Sequence, residues 1–170
     1  MADLLDQPGL RVRRAPAEGQ WVLHCAPEDA QSMEAARLRL PMEMLRAAAE
    51  PAWRVLHLAP DEWTLIGDAA ELAALAKRIA ALPAAHSLVD VSSRGVALDL
   101  LGPYAERCLS AACPLDLGDF GAGRCTRTLF GKATVLLERL ETDECIRMHC
   151  WRSFEPYVVA LVLASAGDLA

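Results

Sequence analysis

The sequence predicts an α+β fold in which antiparallel strands are interleaved with packing helices. Short runs rich in Val, Leu, Thr and Trp recur in pairs around tight turns, which is the pattern of β-hairpins. Helical stretches separate these pairs without the regular strand-helix alternation of a parallel sheet. No Gly-x-Gly-x-x-Gly follows a strand and no Gly-Lys-Ser/Thr is present, which argues against a dinucleotide fold and a P-loop.

The first half of the chain predicts a strand, two helical pieces and a hairpin. The apolar strand covers residues 21–25. Stretches rich in Ala, Leu and Met predict helical pieces at residues 30–40 and 42–50, divided by Pro41, because proline breaks a helix interior. The two strands of the hairpin cover residues 53–58 and 63–66.

A capping box predicts the start of a longer helix at Asp68, where the carboxylate accepts from the backbone and the glutamate three residues later reaches back. Apolar residues then recur at helical spacing on one face: Leu72, Leu75, Ala76, Ile79 and Leu82. Strands follow at residues 87–91 and 96–101. Pro103 is predicted in the first turn of a helix that ends near residue 111. Proline is tolerated there because a backbone N–H in the first turn has no hydrogen-bond partner within the helix.

The last third predicts a second hairpin, one more strand and a terminal helix. Residues 124–130 and 134–140 pair around a Gly-Lys turn, and residues 144–151 add the next strand. Ser153 is expected to cap the helix, which ends before Gly167. Its predicted inward stripe contains Phe154, Tyr157, Val158, Leu161 and Val162. Further apolar residues extend the stripe almost all round, which indicates that something covers the helix.

These elements predict a single compact domain over residues 1–170, built from two subdomains. The first covers about residues 1–110 and the second covers residues 124–170. The segment between them, 111–123, is rich in Pro, Asp and Gly but carries apolar anchors, so we expect an ordered crossover. A chain of 170 residues, 54% of them apolar, can bury one good core.

The net charge of -6 argues against a nucleic-acid groove, because phosphate binding needs clustered Lys and Arg. The basic cluster Arg11, Arg13 and Arg14 is interpreted as a strand edge. The amino terminus has no basic segment followed by an apolar one, so we expect a cytoplasmic protein. The longest apolar run, 157–166, is too short for the ~20 residues of a membrane span, and no membrane partner is expected.

Six cysteines raise the question of a metal site or a disulfide. They are Cys25, Cys108, Cys113, Cys125, Cys145 and Cys150. The pairs 108/113 and 145/150 each have four residues between the cysteines, which is the longest spacing typical of paired zinc ligands. His149 is next to the second pair. In a strand, however, residues 145 and 150 point to opposite faces because their separation is odd. We therefore expect neither a metal site nor a disulfide.

No catalytic set is readable from local spacing. The histidines are His24, His57, His86 and His149. None has a carboxylate or nucleophile that local structure would bring to it, so each is interpreted as a satisfied structural residue. Ser92 and Ser93 lack a readable base and oxyanion hole, and their hydroxyls are expected to satisfy backbone groups in a tight connection.

The most specific motifs begin at Asp90 with Asp-Val-Ser-Ser-Arg-Gly-Val-Ala-Leu-Asp-Leu-Leu-Gly-Pro. Cys-Pro-Leu-Asp-Leu follows at Cys113, Gly-Arg-Cys-Thr-Arg-Thr at Gly123, and Trp-Arg-Ser-Phe at Trp151. With Asp-Glu-Trp in the first hairpin, these blocks strongly resemble the gamma subunit of heterotetrameric sarcosine oxidase across residues 53–157. That family is related to the folate-binding domain of the glycine-cleavage T-protein, so the resemblance implies a T-protein-like fold.

The resemblance implies a structural, non-catalytic subunit of a flavoenzyme complex. Such a complex oxidatively demethylates sarcosine to glycine, and the one-carbon unit passes to tetrahydrofolate or leaves as formaldehyde. By resemblance this chain holds no cofactor. FAD, FMN, NAD and tetrahydrofolate belong to the alpha and beta subunits, and zinc to the delta subunit.

One departure from the T-protein pattern bears on folate chemistry. The T-protein places a key acidic residue just past the strand and turn at residues 126–134, where this chain reads Phe-Gly-Lys-Ala-Thr. This departure argues against folate chemistry in this chain.

Two alternatives to a sarcosine oxidase subunit stay open. One is the equivalent subunit of a sister complex such as an N-methylglutamate dehydrogenase, and the other is a free-standing folate-binding protein.

The strand at residues 124–128 and the corner before the last helix are the predicted partner-binding segments. Alternation places Arg127 beside Leu129, and an arginine among apolar neighbours is typical of an interface ion pair. The alternative is an exposed edge strand with a solvated arginine. Trp and Arg are also the residue types most enriched among interface hot spots. The candidate interface residues are Arg124, Thr126, Arg127, Thr128, Trp151 and Arg152.

Overall fold

The computed structural model describes residues 3–140 and 145–169, and its strand pairs are antiparallel, as predicted. The strands are β1 (Asp3–Gln7), β2 (Leu10–Arg14), β3 (Gly19–Cys25), β4 (Ala47–Ala49), β5 (Trp53–Ala59), β6 (Glu62–Gly67), β7 (His86–Asp90), β8 (Gly95–Leu101), β9 (Cys125–Phe130), β10 (Ala133–Arg139) and β11 (Cys145–Trp151). The helices are α1 (Ala69–Ala80), α2 (Ala105–Ser110) and α3 (Glu155–Gly167). Segments of 3₁₀ helix lie at Pro27–Ala36, Ser92–Arg94 and Arg152–Phe154.

The chain divides into two compact units, but not at the positions expected from the sequence. Unit one consists of Met1–Ala17 and Arg94–Ala170, and unit two consists of Glu18–Ser93. The amino-terminal hairpin joins the later part of the chain because β2 pairs with β8. The segment 111–123 is not a connection between units, since its Leu117 and Phe120 are buried in the unit-one core.

Unit one is built on a six-stranded sheet in the order β1-β2-β8-β11-β10-β9. Alternate strand residues on one face pack with α2 and α3 into a single core. Its largest contributors include Leu98, Leu100, Phe130, Ile146 and Met148. The hairpin of β9 and β10 and the following strand β11 confirm the predicted elements, except that Glu144, the first residue predicted for β11, lies outside the described residues.

Unit two is built on a five-stranded sheet in the order β4-β5-β6-β3-β7, with α1 packed against it. The predicted cap of α1 is confirmed. The Asp68 carboxylate accepts from the backbone N–H of Ala70 at 2.9 Å and of Glu71 at 3.0 Å. The apolar face that follows is buried at Leu72, Leu75 and Ile79.

Of the two helical predictions before β5, the first is confirmed in part and the second is wrong. Residues 30–40 belong partly to the 3₁₀ segment that ends at Ala36, and residues 42–50 contain strand β4 instead of a helix. The backbone N–H of Leu45 donates to the His57 carbonyl at 2.8 Å, and the His57 N–H donates to the Arg46 carbonyl at 3.0 Å. Pairing with β5 thus satisfies the backbone here and overrides the helix preference of the alanines.

The terminal helix is present, but its predicted cap is wrong, and its predicted inward stripe is confirmed only at Val158, Leu161 and Val162. Ser153 lies inside the 3₁₀ turn before α3, and no side chain caps the helix. The buried residues are Val158, Val162, Ser165 and Ala166. Phe154 is exposed because it lies in the 3₁₀ turn before the helix and is out of the helical period, and Tyr157 of the first helical turn is also exposed.

Replacing Gly131 by Ala in the β9–β10 turn is expected to destabilise the protein. Gly131 has φ +58°, and a Cβ there would overlap the Tyr157 hydroxyl and lie 2.7 Å from Leu161. The strained backbone and the overlap together should lower the free energy of unfolding by about 1–3 kcal/mol. Gly121→Ala is the matched control, since a Cβ at Gly121 meets nothing within 4 Å. Equal urea midpoints for the two variants would contradict this packing.

Candidate functional site

One part of the predicted interface lies on β9, which forms an edge of the unit-one sheet as described. Strand alternation places Arg127 and Leu129 on one face and Thr126 and Thr128 on the other. Arg127 is exposed, and Leu129 is 47% exposed. The structure therefore places an arginine and an apolar side chain on one face of this strand.

The other part lies at the end of β11, where Trp151 is 65% exposed. Thr134 of β10 lies opposite Leu129, and the β10–β11 register continued by one residue places Trp151 on its other side. Leu129 and Trp151 thus share a face two strand spacings apart, about 10 Å. We call Arg127, Leu129, Trp151 and the adjacent Arg152 the hairpin-end surface.

Three of the predicted residues do not join this surface. Arg124 precedes the far end of β9, where its carbonyl accepts from the Arg139 N–H at 2.9 Å. Thr128 faces the core side, with its hydroxyl 3.9 Å from the Cys113 sulfur. The Thr126 hydroxyl donates to the Arg127 carbonyl at 3.3 Å. These positions support the strand and are not directed to the same face as Trp151.

An open cavity of about 380 Å³ adjoins the hairpin-end surface and is lined by Arg94, Trp151 and Ser153. Arg94 was not found from the sequence, because it is 57 positions before Trp151 in the chain. The β8–β11 register places Gly95 opposite Trp151, and this brings the preceding arginine to the same corner. The cavity combines a guanidinium, an indole and a hydroxyl group, which suits an anionic group with an apolar neighbour.

A row of charged side chains crosses the face of the unit-one sheet opposite its core. Arg13 on β2, Asp99 on β8, Arg147 on β11 and Glu138 on β10 are successive cross-strand partners. The Asp99 carboxylate accepts from Arg147 Nε at 2.7 Å and from Arg147 Nη2 at 3.1 Å, and it also accepts from Arg13 Nε at 3.4 Å. Asp99 is fully buried, so this row is a structural element without access to a substrate.

His149 is brought to a carboxylate that local spacing does not reveal. Its Nε2 lies 3.5 Å from Glu138 Oε2, and both side chains are buried. The pair arises because β10 and β11 are neighbours, which no short motif encodes. A usable signal was nevertheless present, since Asp99 and Arg147 are charged residues inside predominantly apolar strands, as is Glu138 next to the strand-ending Arg139.

Ser92 makes the backbone hydrogen bond expected of it, whereas His57 is not, among the described residues, the hydrogen-bonded structural residue that was expected. The Ser92 hydroxyl accepts from the Gln20 N–H at 2.8 Å and donates to Asp90 at 2.6 Å, so it satisfies backbone groups as predicted. The Ser92 hydroxyl and, to a smaller extent, the Ser92 backbone N–H donate to the Asp90 carboxylate, and these two hydrogen bonds lower the pKa of Asp90. His57 is buried and stacked on Trp63, yet neither of its ring nitrogens has a hydrogen-bond partner among the described residues.

The cysteines are free and buried. Cys150 belongs to the unit-one core, whereas alternation places Cys145 on the opposite face, as predicted. Burial raises the pKa of Cys108 to about 11, and burial with a smaller contribution from Glu155 raises the pKa of Cys150 to about 11. Within residues 3–140 and 145–169, no three His, Cys, Asp or Glu side chains cluster as metal ligands would.

None of the helices described here has the length and apolar character needed to cross a membrane.

No protein-family model matches the sequence, and no curated protein matches it. Solved structures with the same architecture do exist, and they define the class of fold.

The fold is similar to that of the glycine-cleavage aminomethyltransferase T from Bartonella henselae, with a TM-score of 0.70 over 91% of this chain. The identity is 14%, so this likeness concerns the fold alone, and the chain spans 45% of that protein. The expected T-protein-like architecture is thereby confirmed.

A stronger similarity is to a chain of the heterotetrameric sarcosine oxidase from Corynebacterium sp. U-96, solved in complex with pyrrole 2-carboxylate. The TM-score is 0.83 and the identity 25%, over 98% of this chain and 88% of that chain. Because both shares are high, the matched oxidase chain is of similar length to this one.

Proposed function

We propose that this chain is the gamma-type subunit of a sarcosine oxidase-like flavoenzyme complex and has no reaction centre of its own. The observation that carries the proposal is the match of almost the whole chain to a chain of similar size in the heterotetrameric oxidase. A T-protein, by contrast, extends well beyond the part that this chain matches. The motifs that begin at Asp90 support the same subunit.

In this proposal the complex oxidises the N-methyl group of sarcosine. Sarcosine would be oxidised at a flavin held by a larger subunit. Its methyl carbon would pass to tetrahydrofolate or leave as formaldehyde with the addition of water, and glycine would be the other product. We assign FAD, FMN, NAD and tetrahydrofolate to the alpha and beta subunits and zinc to the delta subunit. This chain contributes a folded scaffold and a docking surface.

The β9–β10 turn supports a scaffold role. In the T-protein resemblance an acidic residue belongs just past this turn, but residues 130–134 contain none. The turn is closed by Gly131 at positive φ, and the Lys132 N–H donates to the Tyr157 hydroxyl at 3.0 Å. Tyr157 of α3 therefore lies beside the turn, and residues 130–134 supply no carboxylate for proton transfer to a folate.

The test compares the chain purified alone with the chain co-expressed with the larger chains encoded next to it. Alone, it is expected to show no flavin absorbance and less than one zinc per chain. Co-expressed, it should co-purify with a flavin-bearing complex that oxidises sarcosine. A yellow isolated chain would contradict the proposal, and a rise in its Tm with tetrahydrofolate would favour a free-standing folate-binding protein. Oxidation of N-methylglutamate instead of sarcosine would identify the sister complex.

Replacing Arg127 or Arg152 by Ala is expected to weaken assembly of that complex. Both arginines are exposed on the hairpin-end surface, and an interface arginine of hot-spot quality contributes roughly 1–3 kcal/mol to binding. The measurement is the Kd of the variant for the larger chains, with circular dichroism to confirm the fold. Arg107→Ala on α2 is the matched control, since it removes an exposed arginine elsewhere in unit one.

If both variants assemble normally and only their stability falls, Arg127 and Arg152 serve contacts within the chain. The exposed side of α3 between Tyr157 and Leu163 would then be the surface to test, because both residues are more than a third exposed.

A further inference from the structure

The cavity lined by Arg94, Trp151 and Ser153 places an exposed indole beside a guanidinium and a hydroxyl group. All three lining residues are exposed, and Trp151 presents most of its indole to solvent. Tryptophan and arginine are enriched at protein–protein interfaces relative to the rest of the protein surface. An exposed indole beside an arginine therefore gives the cavity the composition of an interface.

Arg94 carries a charge that nothing in the described chain neutralises. Its guanidinium makes no hydrogen bond or ion pair with a residue in the described ranges 3–140 and 145–169. Arginines on the neighbouring strands behave differently. Arg14 donates to Glu155 at 2.6 Å, Arg11 to Asp3 at 2.8 Å, and Arg147 to Asp99 at 2.7 Å. The cavity thus holds an available five-donor group beside an apolar wall.

We propose that this cavity receives an Asp or Glu side chain of the larger partner subunit, with Arg94 and Ser153 donating to the carboxylate and Trp151 covering its methylene groups. The inference rests on the proposed function, because it names the chemistry by which that partner is recognised. The chain as a whole is acidic, with a net charge of -6, so a local cation would direct an acidic segment to this corner.

A protein side chain fits this cavity better than a small ligand does. Sites for small molecules enclose about 70–90% of the ligand surface, which requires walls on most sides. Here the lining residues are themselves exposed and continue into Leu129 and Arg152 of the hairpin-end surface. When a large subunit presents an acidic side chain, the surface of that subunit supplies the missing walls around the side chain. Residues next to the acidic side chain in the partner would then cover Trp151 and Leu129.

The experiment measures assembly of the full chain with the co-expressed larger subunits, for wild type, Arg94→Glu and Arg107→Glu. The two variants make the same charge change on the same unit, but only the first lies in the cavity. Arg94→Glu is expected to raise the Kd at least tenfold at low salt, with a smaller effect at high salt, while Arg107→Glu behaves as wild type. A benzophenone attached to Ser153→Cys should cross-link to an acidic segment of a larger subunit.

Failure of the inference is distinct from failure of the proposed function. If wild type itself does not assemble with the larger chains, the proposed function is overturned. If wild type assembles and Arg94→Glu assembles as Arg107→Glu does, or the cross-link maps to a segment without acidic residues, only the cavity inference is overturned. Saturable binding of free benzoate to the isolated wild-type chain, lost in Arg94→Glu, would instead make the cavity a small-molecule site and overturn the docking assignment.

Discussion

Replacing Asp99 by Asn is expected to lower the free energy of unfolding by about 3–5 kcal/mol, because it removes the carboxylate from a buried ion pair. Asp99 is fully buried and accepts two hydrogen bonds from Arg147, with Arg13 as a third donor. The substitution keeps the size of the side chain but removes the buried carboxylate that accepts two hydrogen bonds from the Arg147 guanidinium. Urea denaturation followed by circular dichroism measures the loss.

Asp3→Asn is the control for this experiment. Asp3 also accepts from an arginine, Arg11, at 2.8 Å, but the Arg11 side chain is 49% exposed. Water screens this pair, so its loss should leave the unfolding midpoint almost unchanged. Similar midpoints for the two variants would contradict the assignment of the Asp99 pair as a buried one.

A double variant separates the charge effect from the packing effect. Asp99→Leu combined with Arg147→Met removes both charges and leaves apolar side chains, so we expect it to be less destabilised than Asp99→Asn alone. Arg13 keeps access to water in this variant, because its side chain is 32% exposed. A double variant destabilised as much as Asp99→Asn, or more, would contradict the buried charge left by that substitution as the cause of the loss.

The elements that local signals define were predictable from the sequence. The β9–β10 hairpin follows from a two-residue turn at Gly131 between alternating strands, and α1 follows from Asp68 and an apolar face at helical spacing. In these cases, neighbouring residues supply both the hydrogen bonds and the burial. Distant parts of the chain are not needed to specify the element.

The predictions failed where distant backbone decides the structure. Residues 42–50 have the composition of a helix, but the partner that satisfies their backbone is β5, and helix propensity is too weak to compete with that pairing. The same reason explains the wrong subdomain boundary. Nothing near β2 in sequence indicates that β8 is its partner.

The candidate site was predictable in part, and the missing part is again non-local. Trp151 and Arg127 were found because aromatic and arginine side chains stand out in otherwise apolar strands. Arg94 was missed because only the pairing of β8 with β11 brings it to Trp151. The buried row through Asp99 was missed because its members lie on four strands that are adjacent only in the folded sheet.

Replacement by Ala should reduce the stability of the protein at one of its tryptophans, Trp63, and leave it almost unchanged at another, Trp151. Trp63→Ala is expected to lower the free energy of unfolding by about 3–5 kcal/mol, because the side chain is fully buried in unit two and its loss leaves a large cavity. The indole N–H also donates to the Pro41 carbonyl at 2.9 Å, and the ring stacks on His57 with centroids 4.7 Å apart.

Trp151→Ala is the matched control, since Trp151 is 65% exposed and its removal should change stability by no more than about 0.5 kcal/mol. Its effect is expected on assembly instead, where the Kd for the larger chains should rise. Trp63→Phe keeps a ring against His57 but loses the N–H donor, so its stability should fall between wild type and Trp63→Ala. Circular dichroism in urea suits all three variants, because tryptophan fluorescence changes with the substitution itself. Equal stability losses for Trp63→Ala and Trp151→Ala would mean that burial does not distinguish these side chains, and Trp151 would then belong to the folded core and not to a docking surface.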